Sequence, residues 1–325
     1  MSLERELESF KGKTVCVIGD LMLDEYVWGR AARISPEAPV MVLEAQRNGR
    51  VPGGAANVAH NVQALGGRAL LVGVAGADEP GEALLGSLRD IGVDTSYVVT
   101  ATDRLTTRKT RIIAQHQQVI RVDWEERNDL TTLTAEALVE RATAAIERSD
   151  AVVLSDYRKG CLNQQRVQAF VAASRDTAIP CVANPKPAAL PWMSGTSLVS
   201  VNRVEASEFV GANDLELSEL ISLTESRLAE HGIGQGLITL GEEGMHLCGT
   251  VRAHVPALRV EVYDTAGAGD TVIATIGLGL AAGLDVLTAA RIASVAAGCV
   301  VRHVGVVVPT PDEVVSLARS ADLSV

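Results

Sequence analysis

Residues 264–270 read Asp-Thr-Ala-Gly-Ala-Gly-Asp, a glycine-rich turn between a strand-like run at 258–263 and an uncharged stretch at 271–284. Glycines at the start of a helix let the backbone approach an anion, and the free N–H groups there carry the positive end of the helix dipole. A carboxylate in this position, Asp270, could accept the proton of an attacking hydroxyl beside a phosphate held by the amides. The alternative interpretation is an ordinary helix start with packing glycines.

A second glycine pair, Gly53 and Gly54, precedes a predicted helix at 57–65. Glycine permits close backbone approach, and the Asn57 side chain on the first helical turn can form hydrogen bonds with sugar hydroxyls. Taken alone, this pattern is also typical of an ordinary helix start.

The elements that position these motifs alternate between β-branched runs and longer helical runs, which predicts a parallel sheet with helices on both faces. Two stretches, 25–44 and 97–124, interrupt the alternation with extended runs and no helix between them. They predict a small antiparallel sheet inserted into a single α/β domain over 1–325, as a lid over a cleft or as a dimer interface. Strands are expected at 14–18, 69–74, 151–155, 180–183, 198–201 and 237–240, and helices at 57–65, 81–90, 134–148, 164–176, 218–231, 268–282, 286–301 and 311–318.

The composition is that of a globular protein, since 47% of the 325 residues are hydrophobic. A formal net charge of −11 makes nucleic acid and anionic membranes poor partners. The uncharged stretch at 271–284 is shorter than the ~20 residues that span a bilayer, and the N-terminal segment lacks the apolar core of a signal peptide. The five cysteines are far apart and lack zinc-site spacing, which favours reduced thiols in a cytoplasmic protein.

Together the two glycine motifs resemble the ribokinase-like (PfkB) carbohydrate kinases. The residues that carry the first signature of that family are Gly53, Gly54, Asn57, Ala59, Gly66 and Gly76, and 264–270 matches the second. The resemblance covers nearly the whole chain. It implies a three-layer α/β/α domain with a mostly parallel sheet, a small β-sheet lid and phosphorylation of a sugar by ATP.

The resemblance also implies a role for each matching residue. Asp270 would be the catalytic base, and the amides of Gly267, Ala268 and Gly269 would form the anion hole. On the sugar side are Gly53, Gly54, Asn57 and a carboxylate at Asp24, for which Asp20 is the alternative. The nucleotide side comprises an N-x-x-E motif (Asn202, Arg203, Val204, Glu205), whose Glu205 would help to hold Mg²⁺ through water, and a turn with Thr239, Gly241 and Gly244. A requirement for a monovalent cation is left open.

Longer strings resemble a narrower family, the D-glycero-β-D-manno-heptose-7-phosphate kinases of lipopolysaccharide inner-core synthesis. These strings are GDLMLDEYVWG, ARISPEAPV, TTRKTRIIAQHQQVIRVD, LSDYRKG and NPKP. The resemblance implies transfer of phosphate from ATP to the anomeric hydroxyl of the heptose, which gives the 1,7-bisphosphate. Many such kinases are fused to a nucleotidyltransferase, whereas this chain ends just after the kinase. The expectation is therefore a stand-alone kinase with a separate transferase partner. Ala266 and Thr275 depart from the usual residues of the wider family, outside the implied chemistry.

Basic residues concentrate in the second inserted stretch, at Arg104, Arg108, Lys109, Arg111 and Arg121. At alternating strand positions some of them would face the cleft and bind the 7-phosphate, with Arg108 and Arg121 as the candidates. Their alternative role is that of solvated charges or a dimer rim. Lys186, in a loop restricted by two prolines, is a further phosphate candidate. Asp156 follows a predicted strand, where ligand sites of α/β proteins form.

Other functions remain open at this stage. One is a ribokinase-like kinase that acts on a ketohexose phosphate or a pentose, and another is a non-catalytic regulator that binds a sugar phosphate. The resemblance further suggests a homodimer formed through the inserted sheet.

Overall fold

The structure, a computed structural model, describes residues 3–115 and 117–321. The strands are β1 (Thr14–Gly19), β2 (Leu21–Ile34), β3 (Met41–Gly54), β4 (Arg68–Gly76), β5 (Val98–Ala101), β6 (Thr107–Ala114), β7 (Gln117–Trp124), β8 (Ala151–Ser155), β9 (Cys181–Asn184), β10 (Leu198–Asn202), β11 (Gln235–Thr239), β12 (Met245–Gly249) and β13 (Ala253–Val255). The helices are α1 (Leu3–Glu8), α2 (Ala55–Ala64), α3 (Glu79–Asp90), α4 (Thr132–Ile146), α5 (Gln164–Asp176), α6 (Arg203–Val210), α7 (Leu217–Glu230), α8 (Ala268–Ala281), α9 (Val286–Val300) and α10 (Pro311–Ser320), with 3₁₀ turns at Pro187–Trp192 and Gly241–Glu243.

A nine-stranded sheet, the large sheet, has the strand order β13–β12–β11–β10–β9–β8–β1–β4–β5. All pairs from β11 to β5 are parallel, and β12 and β13 add an antiparallel edge. The carboxyl ends of seven parallel strands therefore meet at one edge of the sheet, where α/β proteins form ligand sites. The predicted, mostly parallel sheet is confirmed.

Helices cover the large sheet on both faces because its strands are apolar on both sides. In β1, Val15 and Val17 pack into a core with α2, α8 and α9, whereas Cys16 and Ile18 pack into a second core with α4 and α5. Successive side chains of a strand point to opposite faces, so one continuous apolar run supplies both cores. This gives the predicted three-layer α/β/α arrangement.

A second, four-stranded sheet, the small sheet, has the order β3–β2–β6–β7. The outer pairs, β3–β2 and β6–β7, are antiparallel, whereas the central pair β2–β6 is parallel. The sheet is therefore mixed rather than wholly antiparallel. Its two hairpins come from the two stretches that interrupt the helix–strand alternation.

Two parts of the chain differ from the sequence-based expectation. The run at 258–263 forms no strand, because its end is attached to α9 through the Tyr263 N–H, which donates to the Val301 carbonyl at 2.8 Å. Within the stretch 97–124, Val98–Ala101 pairs with β4, so it belongs to the large sheet. In the part of the chain that the structure describes, no helix combines the length and apolarity needed to cross a membrane.

Candidate active site

The candidate site lies where the carboxyl ends of the parallel strands meet the start of α8. Asp20 follows β1, Asp156 follows β8, and Asn202 and Thr239 end the neighbouring strands β10 and β11. The parallel topology brings these distant residues to the same edge. Asp270 lies in the first turn of α8.

The Asp270 carboxylate is buried and held at both oxygens. Asn57 donates from Nδ2 to Oδ2 at 2.8 Å, and the Tyr157 hydroxyl donates to Oδ1 at 2.7 Å. Burial raises the pKa of Asp270 from 3.8 to about 6; the two hydrogen bonds and Lys186 oppose the rise, whereas Asp24 adds to it. The side chain is thus ionised at neutral pH and has the basicity of a proton acceptor suited to that pH.

The start of α8 presents backbone amides without a side-chain cap, as far as the described residues show. Gly267 precedes the helix with φ +82°, and a Cβ there would lie 3.2 Å from Asn57 Nδ2. Gly269 is exposed, and a Cβ on it would meet only open space. The amides around Gly267, Ala268 and Gly269 therefore lie at an accessible helix N-terminus, as an anion site requires.

The small sheet contributes a second buried carboxylate. Asp24 of β2 is 5% exposed and forms a hydrogen-bonded ion pair with Arg111 of β6. Gly53 makes room for it, because a Cβ there would lie 2.3 Å from Asp24 Oδ2. Gly54 has φ +59°, and its Cβ would meet the Asp20 carbonyl at 2.5 Å. At both positions of the first motif, neighbouring atoms thus lie too close for any residue with a Cβ.

Asp20 has a different environment from Asp24. Its carboxylate accepts hydrogen bonds from the amides of Tyr157, Lys159 and Cys161, at 2.8 to 3.0 Å. Asp156 likewise accepts from the amides of Arg158 and Lys186, and burial raises its pKa. Both carboxylates shape loops at the sheet edge, whereas the charge of Asp24 is the one that contributes to the raised pKa of Asp270.

The N-x-x-E segment has a structural role that its sequence did not reveal. Asn202 and Glu205 form a reciprocal capping box at the start of α6, with both hydrogen bonds 2.9 Å long. Glu205 Oε1 also accepts from Lys186 Nζ at 2.6 Å. The two oxygens of Glu205 are therefore both engaged within the protein.

The predicted nucleotide turn lies next to this capping box. Thr239 pairs with Asn202 across β11 and β10, and Arg203 forms a 3.1 Å ion pair with Glu243 of the turn. Val204 is 75% exposed on the first turn of α6. The glycines of the turn, Gly241 and Gly244, have φ values of +63° and +88°. The structure thus brings the two predicted nucleotide segments together.

The structure divides the basic residues between the two faces of the small sheet. Residues paired across strands share a face, so Lys109 and Arg111, paired with Asp24 and Tyr26, lie on the face of Asp24. Lys109 is half-buried, which lowers its pKa, and makes no salt bridge within the described part of the chain.

Arg108, a predicted substrate ligand, is on the opposite face because it is one residue out of phase. Its guanidinium lies 3.8 Å over the Trp124 ring and 3.7 Å from Glu25. Arg121 pairs with Arg111 in the sheet but is half-exposed and bound to Asp123. Arg104 instead donates to main-chain carbonyls of the loops that follow β7 and β8. Lys109, rather than Arg108, therefore lies on the face of the small sheet that carries Asp24.

Sequence reasoning missed Tyr157, which contacts Asp270 directly. It lies one residue after Asp156, within the string LSDYRKG. A tyrosine two residues after the end of a parallel strand was the available signal, because residues there lie at the ligand edge of the sheet.

The α/β fold and a buried carboxylate at a helix N-terminus are features that a phosphotransferase could use, and comparison with known proteins gives the family. The pfkB family carbohydrate kinase signature matches residues 13–313. The chain belongs to this family and is an ATP-dependent sugar kinase. The expected resemblance to PfkB kinases is confirmed.

Curated relatives include two bifunctional proteins named HldE. That of Caulobacter sp. (strain K31) is 44% identical over 315 residues, which are 96% of this chain and 64% of the relative. That of Pelobacter propionicus is 38% identical over 322 residues, covering 98% of this chain and 66% of the relative. The chain thus spans slightly less than two thirds of their length. A stand-alone enzyme with a separate nucleotidyltransferase stays a prediction.

Solved structures confirm the ribokinase-like fold. Arabidopsis thaliana ribokinase complexed with ribose and ATP has a TM-score of 0.73 at 20% identity, and 94% of this chain and 98% of that chain are covered. Phosphofructokinase-2 from Escherichia coli in complex with fructose-6-phosphate has a TM-score of 0.77 at 18% identity, with 96% and 100% covered.

Proposed function

We propose that this kinase transfers the γ-phosphate of ATP to the anomeric hydroxyl of D-glycero-β-D-manno-heptose 7-phosphate. The observation that carries the proposal is the buried Asp270 carboxylate at the uncapped start of α8, close to the ion pair of Asp24 and Arg111. The long strings shared with heptose-7-phosphate kinases support the choice of sugar.

ATP would lie along the edge formed by α6, the turn at Gly241–Glu243 and the start of α8. The amides of Gly267, Ala268 and Gly269 are placed to hold the transferring phosphate, because they lie at an accessible helix N-terminus. Asn202 and Glu205 would fix the adjoining helix, and Lys186 would offer the nucleotide phosphates a cation.

The sugar would bind between Asp270 and the small sheet. Asp24 can accept hydrogen bonds from sugar hydroxyls while Arg111 neutralises its charge. Lys109 is the better candidate for the 7-phosphate, since it is a partly desolvated ammonium group without a carboxylate partner on the described residues. The negative charge of a phosphate dianion would stabilise the ammonium form of Lys109.

Asp270 would take the proton as the anomeric oxygen attacks the γ-phosphorus. The new bond joins that oxygen to phosphorus, and the bond from phosphorus to the β,γ-bridging oxygen breaks, so ADP leaves with the bridging electron pair. The amides at the start of α8 stabilise the charge on the transferring group.

The residues at this edge fit Mg²⁺ held mainly by nucleotide phosphates and water. Among residues 3–115 and 117–321, no cluster of three His, Cys, Asp or Glu side chains could hold a metal ion. Both oxygens of Glu205 are already engaged, which favours contact through water. When bound in this way, Mg²⁺ supplies positive charge that neutralises the phosphates.

Coupled ADP release with MgATP tests the substrate and the base separately. Heptose 7-phosphate should be turned over with a higher kcat/KM than fructose 6-phosphate or ribose, and ³¹P NMR should show a phosphate on the anomeric carbon. The Asp270→Asn variant should lose about 10²- to 10⁴-fold in kcat. Asp285→Asn, which changes a helix cap at α9, is the matched control.

Two results would contradict the proposal. Preference for ribose or fructose 6-phosphate would exclude the heptose, and an Asn variant as fast as the wild type would exclude Asp270 as base. Binding of the sugar phosphate without any turnover would favour a regulator.

We further propose that two copies associate through the small sheet and that the enzyme is cytoplasmic. The small sheet exposes large apolar side chains that a partner would cover, at Ile34, Met41, Val119 and Ile120. Light scattering should give a dimer mass, and Ile120→Glu should yield monomers; a monomeric wild type would refute the dimer.

The proposed compartment rests on the cysteines. All five are free and buried, as a reducing compartment favours.

A further inference from the structure

Two side chains donate hydrogen bonds to Asp270, and Tyr157 is the one that has no assigned role. Its hydroxyl donates to Oδ1 at 2.7 Å, while Asn57 donates to Oδ2. Burial and then the Asp270 carboxylate raise the pKa of Tyr157 well above its usual value of 10. The phenol therefore remains a hydrogen-bond donor throughout the neutral range.

The Tyr157 ring also connects the two sides of the site. The ammonium group of Lys109, from the small sheet, lies 5.9 Å from the ring centroid, and that of Lys186 lies 5.1 Å from it. Lys186 in turn binds Glu205 on the nucleotide side. One side chain thus contacts the base and both of the cations proposed for phosphate binding.

The loop that carries Tyr157 is held firmly in place. The carboxylate of Asp20 binds three of its amides, and Arg104 donates to its Lys159 carbonyl. Lys159 forms a 2.5 Å ion pair with Glu125, and both of these side chains are nearly buried. Anchors on both sides of the loop leave the phenol little freedom to move away from Asp270.

We propose that Tyr157 is a positioning residue for phosphoryl transfer, which fixes the carboxylate plane of Asp270 and keeps it ionised for the incoming sugar hydroxyl. This inference rests on the proposed role of Asp270 as base. A carboxylate oxygen has two acceptor sites, so the bond from Tyr157 leaves one free for the substrate. Holding the acceptor in place lowers the entropic cost of reaching the reactive geometry.

The Tyr157→Phe variant isolates the hydroxyl, because the ring and its contacts with both lysines remain. Loss of a hydrogen bond to a charged group should lower kcat about 10- to 100-fold, with KM for MgATP within about twofold. Tyr97→Phe is the matched control, since the Tyr97 hydroxyl contacts only Arg148 among the described side chains.

The pH profile separates positioning from a merely structural role. The groups that face Asp270 are Tyr157, Asn57 of α2, Asp24 of β2 and Lys186 after β9, and only the first changes. The lost bond had favoured the ionised carboxylate, so the acidic limb of kcat should move upward by about one pH unit. An unchanged profile together with an unchanged kcat would overturn the proposal.

A measurement without substrate keeps this inference distinct from the proposed function. In protein labelled with ¹³C at the aspartate carboxyls, Asp270→Asn identifies the resonance, and its titration midpoint should rise in Tyr157→Phe. If the wild type does not turn over heptose 7-phosphate but the midpoint rises, the hydrogen bond is established and the proposed function fails. If the midpoint stays the same, the inference about Tyr157 is wrong, whatever the substrate.

Discussion

The substitution Asp270→Asn should make the protein more stable, although it lowers kcat by about 10²- to 10⁴-fold. Burial raises the pKa of Asp270 from 3.8 to about 6, so the folded protein holds an ionised carboxylate where the ionised form is disfavoured. At 1.36 kcal/mol for each pH unit, this rise corresponds to about 3 kcal/mol of lost stability. Asparagine has nearly the same shape and carries no charge at any pH.

The sign of the effect follows from proton binding. Below pH 3.8 both the folded and the unfolded states carry the proton, and the carboxyl costs nothing. As the pH rises toward 6 the unfolded chain releases its proton first, so the free energy of unfolding falls and stays low above pH 6. The Asn variant lacks this fall. Part of this gain is lost because Asn57 and Tyr157 would then bind a neutral group, which leaves about 1–2 kcal/mol at pH 8.

Equilibrium urea unfolding at pH 8 and pH 4.5 measures this difference. The Asn variant should exceed the wild type at pH 8, and the gap should narrow at pH 4.5. Asp285→Asn is a control of opposite kind, because hydrogen bonds from Thr288 lower the pKa of Asp285. It should bring no gain at pH 8. An Asn variant at position 270 that is less stable at both pH values would refute the idea that burial strains this carboxylate.

Three other substitutions test separate parts of the site. Gly53→Ala places a Cβ against the Asp24 carboxylate, so KM for the sugar should rise at least about tenfold while KM for MgATP stays the same. A KM for the sugar equal to that of the wild type in steady-state kinetics would argue against this role of Asp24. Arg111→Met leaves the buried Asp24 without its cation and should lower the free energy of unfolding by about 2 kcal/mol in urea; an unchanged midpoint would count against the ion pair. Lys186→Met removes the cation beside Glu205 and should reduce kcat/KM for MgATP about tenfold, whereas wild-type kinetics would remove Lys186 from the nucleotide site.

The strands of the large sheet could be predicted because the residues that define each strand are consecutive in the sequence. An apolar run such as Ala151–Leu154 is buried on both faces and is followed by a loop and a helix, so composition and order indicate a parallel strand. The run at 258–263 alternates apolar residues with Arg259 and Glu261, as an edge strand can, but its end contacts the end of α9, and periodicity does not reveal such a contact.

The candidate site was predictable where one segment contains the whole feature. The turn before Asp270 and the pair Gly53-Gly54 are of this kind. Arg108 and Lys109 are adjacent in sequence, and only the strand register decides which of them faces Asp24. Tyr157 meets Asp270 across 113 positions of the chain, and no short pattern encodes such a meeting. The assigned roles of all these residues stay predictions until the variants are measured.

The small sheet grows out of the core without a flexible joint. Only Asp20 separates β1 from β2, α2 begins directly after β3, and Leu21 to Asp24 are at most 5% exposed. The first irregularities in the β2–β3 ladder are at Trp28/Gly29 and Ala31/Arg33. The hairpin is therefore fixed to the core as far as Asp24, and its ladder becomes irregular only farther out. A bend of about 20° at Gly29 would swing Ile34, about 17 Å away, through about 6 Å. During such a bend the residues near Asp24 would keep their distances to Asp270. The range of substrate sizes that the enzyme accepts should therefore depend on the outer part of the hairpin.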